Sequence, residues 1–279
     1  MNDGSLEVRD VSVRFGGLTA LDRVSLTAAS GQVTGIIGPN GAGKTTLLNV
    51  LCGFVRPESG RISFGGRELT GLRPHNLAAL GIARTLQGVG LFGGLSVLEN
   101  VMVGATVHAH AGFWSALAGV PRADRDERQL RERAMEALAQ VGAADHAGAR
   151  PDALAHGVRK RVALARALAA QPRLLLLDEP ASGLSEHELP ELGGLISGLA
   201  KDITLVVIEH RMDLMMSACD TIAVLDFGKV IATGTPEQVQ ADPAVTAAYL
   251  GLAVDEAAAG SESAAAGKLA DQVAEVVDD

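Results

Sequence analysis

Nine consecutive residues near the start of the chain have the composition of a loop that binds polyphosphate. We call them the phosphate loop: Gly38, Pro39, Asn40, Gly41, Ala42, Gly43, Lys44, Thr45 and Thr46. Glycine permits backbone dihedrals in which successive N–H groups converge on phosphate oxygens. At this spacing the Lys44 ammonium reaches the β- and γ-phosphates, and the Thr45 hydroxyl is a ligand for Mg²⁺. The phosphate loop therefore predicts a site for a nucleoside triphosphate and Mg²⁺.

The residues on either side of the phosphate loop predict the elements that such a loop requires. Residues 33–37 are an apolar run typical of a strand, and residues 45–52 are typical of a helix. A helix that begins at the loop directs its positive end toward the bound anion. The flanks therefore support the nucleotide-binding interpretation over a simple glycine-rich turn.

Two adjacent carboxylates further along the chain favour hydrolysis. Asp178 and Glu179 follow residues 174–177, four leucines that predict a strand buried on both faces. Ligands of open α/β sheets bind at the carboxyl ends of such strands. Asp178 is suited to holding Mg²⁺ through water, and Glu179 to polarising an attacking water. The phosphate loop alone fits a kinase, a GTPase or an ATPase, and this pair is what discriminates between them.

The remaining hydrophobic patterns predict an α/β fold. Alternating residues predict an antiparallel sheet near the phosphate loop, with strands at 6–13, 24–28 and 61–64. Apolar runs predict a buried strand at 204–208 and a hairpin of 222–225 with 229–232. Helical spacing predicts helices at 122–141 and about 158–170. Because strands and helices alternate, the main sheet is expected to be largely parallel.

Composition excludes several classes of protein. The chain has 279 residues, 47% of them hydrophobic, which suffices for one α/β domain with a smaller lobe. A net charge of −9 argues against a nucleic-acid partner, and two cysteines imply no disulfide framework. No segment is predicted to cross a membrane. Residues 253–279 carry seven acids and one lysine in an Ala-rich context, which predicts a disordered or loosely helical tail.

Taken in this order, the motifs resemble the ATP-binding domain of the ABC (ATP-binding cassette) ATPases. The resemblance is carried by residues 6–252 and implies a domain at 1–252 with a P-loop NTPase core. It also implies an N-terminal antiparallel β subdomain and a helical subdomain at about 88–170. By the same resemblance, Phe15 stacks on adenine, Gln87 contacts Mg²⁺ and the attacking water, and His210 contacts the γ-phosphate. An alternative for Phe15 is ordinary strand core.

Residues 154–161, which we call the signature segment, stand where this family has its Leu-Ser-Gly-Gly-Gln motif. The resemblance implies that Ala155, His156 and Gly157 face the γ-phosphate held by an opposite subunit. The segment keeps Gly157 but departs from the motif at Ala155 and Val158, and loss of the serine hydroxyl removes a charge-assisted hydrogen bond. We therefore expect an asymmetric dimer with a different ATPase subunit, with a homodimer as the alternative.

Several further segments resemble the ATPase subunit of branched-chain amino acid importers. They are residues 91–104, the charged insert through Arg133, residues 209–213, 234–237 and 249–251. The resemblance implies membrane permease subunits as partners, a solute-binding protein as an indirect partner, and a peripheral position on the cytoplasmic side of the inner membrane. The alternatives are a soluble ABC ATPase that acts on DNA or ribosomes, and a degenerate regulatory subunit that binds nucleotide with little turnover.

Overall fold

The computed structural model describes residues 4–85, 88–109 and 121–249. Gln87 and the predicted tail at 253–279 lie outside these ranges. The strands are β1 (Leu6–Phe15), β2 (Leu18–Ala28), β3 (Val33–Ile37), β4 (Ser59–Phe64), β5 (Arg67–Glu68), β6 (Ile82–Arg84), β7 (Leu174–Asp178), β8 (Thr204–Ile208), β9 (Thr221–Asp226) and β10 (Lys229–Gly234). The helices are α1 (Lys44–Leu51), α2 (Val97–Ala105), α3 (Pro121–Gln140), α4 (His156–Leu168), α5 (Leu189–Leu199), α6 (Met212–Ala218) and α7 (Pro236–Gln240).

The first sheet is antiparallel, as the alternating segments predict. Its strand order is β2-β1-β4-β5, and β1 pairs with both β2 and β4. Leu6, Val8, Val11 and Val13 of β1 are buried, because alternate side chains of a strand point to the same face. The change of register between Val8 and Val11 coincides with Asp10, whose φ is 51°. The N-terminal part of the chain is therefore a separate β layer.

The second sheet is mainly parallel and carries the candidate site. Its order is β10-β9-β3-β8-β7-β6, and every pair is parallel except the β9–β10 hairpin. Strands β3, β7 and β8 are buried along their whole length, which explains their continuous apolar sequences. The carboxyl ends of these three strands lead into the phosphate loop, Glu179 and Glu209. The sheet thus brings distant polar residues to one edge.

Alternate residues of β7 pack into different parts of the core. Leu174 and Leu176 face the antiparallel sheet and helix α1, whereas Leu175 and Leu177 face the remaining helices. The fold therefore has an antiparallel sheet, a central parallel sheet and a helical layer. This arrangement confirms the predicted α/β fold class.

Helices α2, α3 and α4 contact one another and form the helical region. The predicted helices at 122–141 and 158–170 are confirmed, with α4 beginning two residues earlier than expected. Gly142, with φ of 65°, follows the end of α3 at Gln140, as its left-handed conformation favours. Among the described residues, none of the helices combines the length and apolarity that a membrane crossing requires.

Helices α5 and α6 were missed by the sequence analysis. Helix α5 contains Gly193, Gly194 and Gly198, which lower its intrinsic helix propensity. It forms by packing: Ile196 is fully buried, and a Cβ on Gly193 would lie 3.4 Å from the Leu214 side chain of α6. Here tertiary contacts override local propensity.

Candidate nucleotide-binding site

The phosphate loop connects β3 to α1 in a conformation that depends on glycine. Gly38 and Gly43 have φ of 149° and 101°, in the region that other residues rarely adopt. A Cβ on Gly38 would collide with the carbonyl oxygen of Leu225, and one on Gly43 would lie 2.6 Å from the carbonyl oxygen of Ala20. Neighbouring backbone therefore holds the loop closely on two sides.

Helix α1 begins directly after this loop. Gly43 is its N-cap and provides no side-chain hydrogen bond, so the first N–H groups of α1 are left for another acceptor. Thr45, the predicted Mg²⁺ ligand, is exposed at the second residue of the helix, beside the half-buried Thr46. The arrangement has the chemistry of an anion site, in which backbone N–H groups and the helix dipole both favour negative charge.

The Lys44 side chain bends back over the phosphate loop. Its ammonium donates hydrogen bonds to the carbonyl oxygens of Gly38, at 2.6 Å, and Pro39, at 2.7 Å. Burial lowers the pKa of Lys44, while the negative charge of Glu179 opposes that shift. The cation is thus held at the loop with Glu179 close enough to influence it electrostatically.

Asp178, at the end of β7, is paired with an arginine that the sequence analysis did not single out. Its side chain is only 4% exposed, and its Oδ2 accepts a hydrogen bond of 2.9 Å from Arg84. Arg84 also donates to Asn49 of α1 at 3.1 Å. Three segments that are far apart in sequence therefore meet at the predicted Mg²⁺ carboxylate.

Glu179 follows Asp178 in a left-handed backbone conformation with φ of 47°. This conformation is uncommon for a residue with a side chain and carries strain. It is held by two contacts: the Glu179 N–H donates to Ile208 at 2.8 Å, and Lys160 of α4 donates to the Glu179 carbonyl oxygen at 3.0 Å. The backbone of Glu179 is therefore held by both β8 and the helix of the signature segment.

His210 leaves the sheet after β8, next to a carboxylate that the sequence analysis did not assign to the site. The His210 side chain is 58% exposed, whereas the Glu209 side chain is fully buried. His210 Nδ1 lies 3.0 Å from Glu209 Oε1, and Glu209 Oε2 accepts a 2.9 Å hydrogen bond from the N–H of Ala181. An acid directly after a buried strand was the signal in the sequence that could have identified Glu209.

Phe15 is the last residue of β1 and is 52% exposed. The alternative that it is ordinary strand core is therefore wrong. It pairs in register with Leu18, which is 68% exposed, at the β1–β2 turn. The ring is accessible for stacking on a planar ligand, which is the role that the resemblance implies.

The signature segment has few hydrogen bonds at the start of α4. Ala155 is the exposed N-cap residue and provides no side-chain hydrogen bond. His156 Nε2 lies 3.4 Å from the carbonyl oxygen of Ser182, and a Cβ on Gly157 would collide with the Glu188 carboxylate. Hydrogen bonds from Ser185, with a smaller contribution from the charges of Arg161 and His156, lower the pKa of Glu188. The signature segment therefore lies beside an ionised carboxylate.

A cavity of about 350 Å³ lies between α4, α5 and the end of β7. Its lining includes Asp178, Lys160 and several leucines of α4 and α5. Arg161 of α4 and Glu191 of α5 form an ion pair and are both among the lining residues. Open space thus lies between α4, α5 and the end of β7, and the Arg161–Glu191 ion pair joins α4 to α5.

Two family profiles match the chain. The one described as ABC transporter matches residues 21–182, which is more than half of the chain. The one described as branched-chain amino acid ATP-binding cassette transporter matches residues 229–255. The two matches together include the phosphate loop, Asp178, Glu179 and the C-terminal part of the domain.

A curated relative and two solved structures agree with these profiles. The chain is 42% identical over 250 residues to the high-affinity branched-chain amino acid transport ATP-binding protein BraF of Pseudomonas aeruginosa, a match to 89% of this chain and 98% of BraF. The ADP conformation of MJ1267, an ATP-binding cassette of an ABC transporter, superimposes with a TM-score of 0.76 at 31% identity, over 88% of this chain and 98% of that one. The dimeric structure of MJ0796, a bacterial ABC transporter cassette, superimposes with a TM-score of 0.69 at 25% identity, over 83% of this chain and 98% of that one.

Proposed function

Since this chain belongs to the ABC transporter family, whose ATP-binding subunits hydrolyse ATP, we propose that it powers the import of branched-chain amino acids. The chain is the ATPase of an ABC importer, and the proposal concerns its cargo. The observation that carries it is the agreement of two matches: the branched-chain profile at residues 229–255, and BraF over nearly its whole length. Related amino acids with apolar side chains are the nearest alternative cargo.

The proposed partners are membrane permease subunits, a second ATPase subunit and, indirectly, a solute-binding protein. Pairing of two cassettes is supported by the dimeric structure of MJ0796. The chain would bind its permease on the cytoplasmic side of the inner membrane as a peripheral subunit. In this arrangement ATP is bound between the phosphate loop of one ATPase and the signature segment of the other.

The donor atoms of the proposed site suit Mg²⁺. It prefers hard oxygen ligands and is commonly held by one or two carboxylates with substrate phosphates. The Thr45 hydroxyl and the Asp178 carboxylate are such donors, and we propose Gln87 as a third. The ion supplies charge neutralisation of the phosphates when it is bound. Within the described ranges, no cluster of three or more acids, histidines or cysteines forms a separate metal site.

We propose that the residues of this chain act on ATP mainly by positioning and charge stabilisation, as phosphoryl transfer requires. Lys44 and the N–H groups of the phosphate loop bind the phosphates. Glu179 accepts the proton of a water whose oxygen forms a bond to the γ-phosphorus, while the bond to the ADP oxygen breaks. His210 contacts the γ-phosphate, and Phe15 stacks on the adenine.

The signature segment supports an asymmetric dimer. Ala155 lacks a hydroxyl to offer the γ-phosphate of the opposite subunit, and the Glu188 carboxylate beside Gly157 would repel that phosphate. The phosphate loop, Asp178 and Glu179 of this chain are complete. We therefore propose that the site built on this phosphate loop hydrolyses ATP faster than the site built on this signature segment, in a dimer with a different ATPase.

Uptake by the reconstituted transporter tests this function. The full chain, its permeases, its partner ATPase and the solute-binding protein would be assembled in vesicles with enclosed ATP. We expect uptake of labelled leucine, isoleucine or valine, which stops when this chain carries Lys44→Ala. ATP hydrolysis with no amino acid uptake, or cosedimentation of the chain with ribosomes or DNA, would contradict the proposal and favour a non-transport ATPase.

A further inference from the structure

Glu209 lies between two loops of the site. It follows β8, its carboxylate is fully buried, and it is bonded on both oxygens. Oε1 accepts the backbone N–H groups of His210, at 2.8 Å, and Arg211, at 3.3 Å, and lies 3.0 Å from His210 Nδ1. Oε2 accepts the N–H of Ala181 at 2.9 Å. A single side chain therefore joins the His210 loop to the loop that follows Glu179.

The burial of this carboxylate requires compensation. An ionised carboxylate away from water is costly unless it is hydrogen-bonded or paired. Three backbone N–H groups donate hydrogen bonds to it, and the His210 ring nitrogen Nδ1 lies 3.0 Å from Oε1. Lys160 adds positive charge nearby: burial lowers its pKa, and the charges of Glu209 and Glu179 oppose that shift. Lys160 also donates to the carbonyl oxygens of Glu179 and Pro180, at 3.0 and 3.2 Å.

The position of Nδ1 beside the Glu209 carboxylate bears on which nitrogen of the His210 ring carries a hydrogen. Carboxylate oxygens accept hydrogen bonds, so an N–H at Nδ1 suits this 3.0 Å contact and a lone pair at Nδ1 does not. The other nitrogen, Nε2, then carries a lone pair in the neutral ring. A phosphate oxygen is also an acceptor, so His210 can donate to it from Nε2 only when both nitrogens are protonated. The Glu209 carboxylate faces the Nδ1 hydrogen in that form as well.

We propose that Glu209 is a positioning residue, which holds the His210 imidazole with Nδ1 protonated and aligns it with the loop that follows Glu179. This inference rests on the proposed contact of His210 with the γ-phosphate. Glu209 itself, being fully buried, acts through His210 and Ala181.

Nitrogen NMR of the full-length, nucleotide-free protein labelled in histidine tests the proposal directly. His210 is assigned by the signal that is lost in His210→Ala. We expect the wild-type ring to carry its hydrogen on Nδ1, and Glu209→Gln to shift the ring toward the Nε2–H form. A wild-type ring protonated on Nε2 alone would overturn the proposal, without the need for any variant to fold.

Asp213→Asn is the matched control. Asp213 is an acid three residues from His210, but its carboxylate is 54% exposed and bonds Arg211. We expect no change of the His210 signals in this variant. The same change in Asp213→Asn as in Glu209→Gln would overturn the assignment to Glu209, since any loss of nearby negative charge would then suffice.

Steady-state hydrolysis by the assembled transporter gives a second readout. Loss of a charge-assisted hydrogen bond predicts that Glu209→Gln lowers kcat by about tenfold or more. The KM for ATP should stay within about twofold, because the phosphate loop is untouched. A raised KM with an unchanged kcat would contradict the proposal. If His210→Ala retained full hydrolysis, the proposed role of His210 would fail, while the NMR result would still decide what Glu209 does.

Discussion

The phosphate loop and the signature segment both present a helix start, but they differ in how firmly the structure holds them. Around the phosphate loop, Lys44 makes two hydrogen bonds and Asp178 is almost fully buried against Arg84. At the signature segment, Ala155 is exposed and makes no side-chain hydrogen bond. Lys44 and Asp178, which are proposed to act on this chain's own nucleotide, are thus held by contacts within the chain. Ala155, which is proposed to act on the nucleotide of the opposite subunit, has no such side-chain hydrogen bond.

Helix α2 shows that a side-chain cap is available to this fold. Its N-cap, Ser96, accepts a hydrogen bond from the N–H of Glu99, and the Glu99 carboxylate accepts one from the N–H of Ser96. Helix α4 has no such cap, although both helices belong to the same helical region. The bare start of α4 leaves its N–H groups open to an external acceptor, which is what a segment facing another subunit's phosphate requires.

Glu179→Gln should have the largest effect on hydrolysis at the site built on the phosphate loop. Removal of the carboxylate that accepts the proton of water is expected to lower kcat by about 10²- to 10⁴-fold, the usual contribution of a general base. ATP affinity should be retained, because Lys44 and the phosphate loop are unchanged. Single-turnover hydrolysis and equilibrium binding of ATP measure the two separately. Retained hydrolysis would show that another group acts as the base.

Arg84→Met tests whether the buried Arg84–Asp178 pair stabilises the region around the phosphate loop. Removal of one partner of a buried pair leaves Asp178 uncompensated, at a cost of about 3 to 5 kcal/mol. Urea unfolding measures this loss. Arg9→Met is the control, because Arg9 is paired with Glu7 at an exposed position and its loss should cost less than about 1 kcal/mol. Equal effects of the two substitutions would contradict the importance of burial.

Lys44→Ala should weaken nucleotide binding. Loss of hydrogen bonds from a charged donor to the phosphates predicts about 10- to 100-fold lower affinity for ATP. Titration calorimetry with Mg²⁺ and ATP measures it. Lys229→Ala is the matched control, because this lysine is 60% exposed and paired with Asp22. Unchanged ATP affinity in Lys44→Ala would show that the phosphate loop is not the nucleotide-binding site.

Ala155→Ser and Ser96→Ala form the smallest and most direct test of the comparison. The first adds a cap to α4 and should raise the free energy of unfolding, whereas the second removes one from α2 and should lower it, each by about 0.5 to 2 kcal/mol. Ala155→Ser should also speed hydrolysis at the site that it shares with the partner subunit. If neither stability nor hydrolysis changed in Ala155→Ser, the departure at this residue would not explain the asymmetry.

Much of the fold could be predicted because its signals are local. The strands β3, β7 and β8 can be recognised from their continuous apolar sequences, because they are buried on both faces. Helix α5 could not be predicted, because its three glycines oppose a helix that only packing against α6 stabilises. Arg84 was missed for a related reason, because nothing in its own neighbourhood indicates that it meets Asp178. Glu209 follows a buried strand, which is a signal for a site residue, but its neighbourhood does not indicate that it meets Ala181.

By itself, the sequence determined the phosphate loop and the carboxylate pair at Asp178 and Glu179. Their chemistry resides in consecutive residues, and glycine dihedrals and strand burial act over a few residues. Only the tertiary structure decided that Arg84 neutralises Asp178, 94 residues away, and that Glu209 binds Ala181, 28 residues away. Those contacts depend on the order of strands in the parallel sheet, which brings carboxyl ends together irrespective of their separation along the chain.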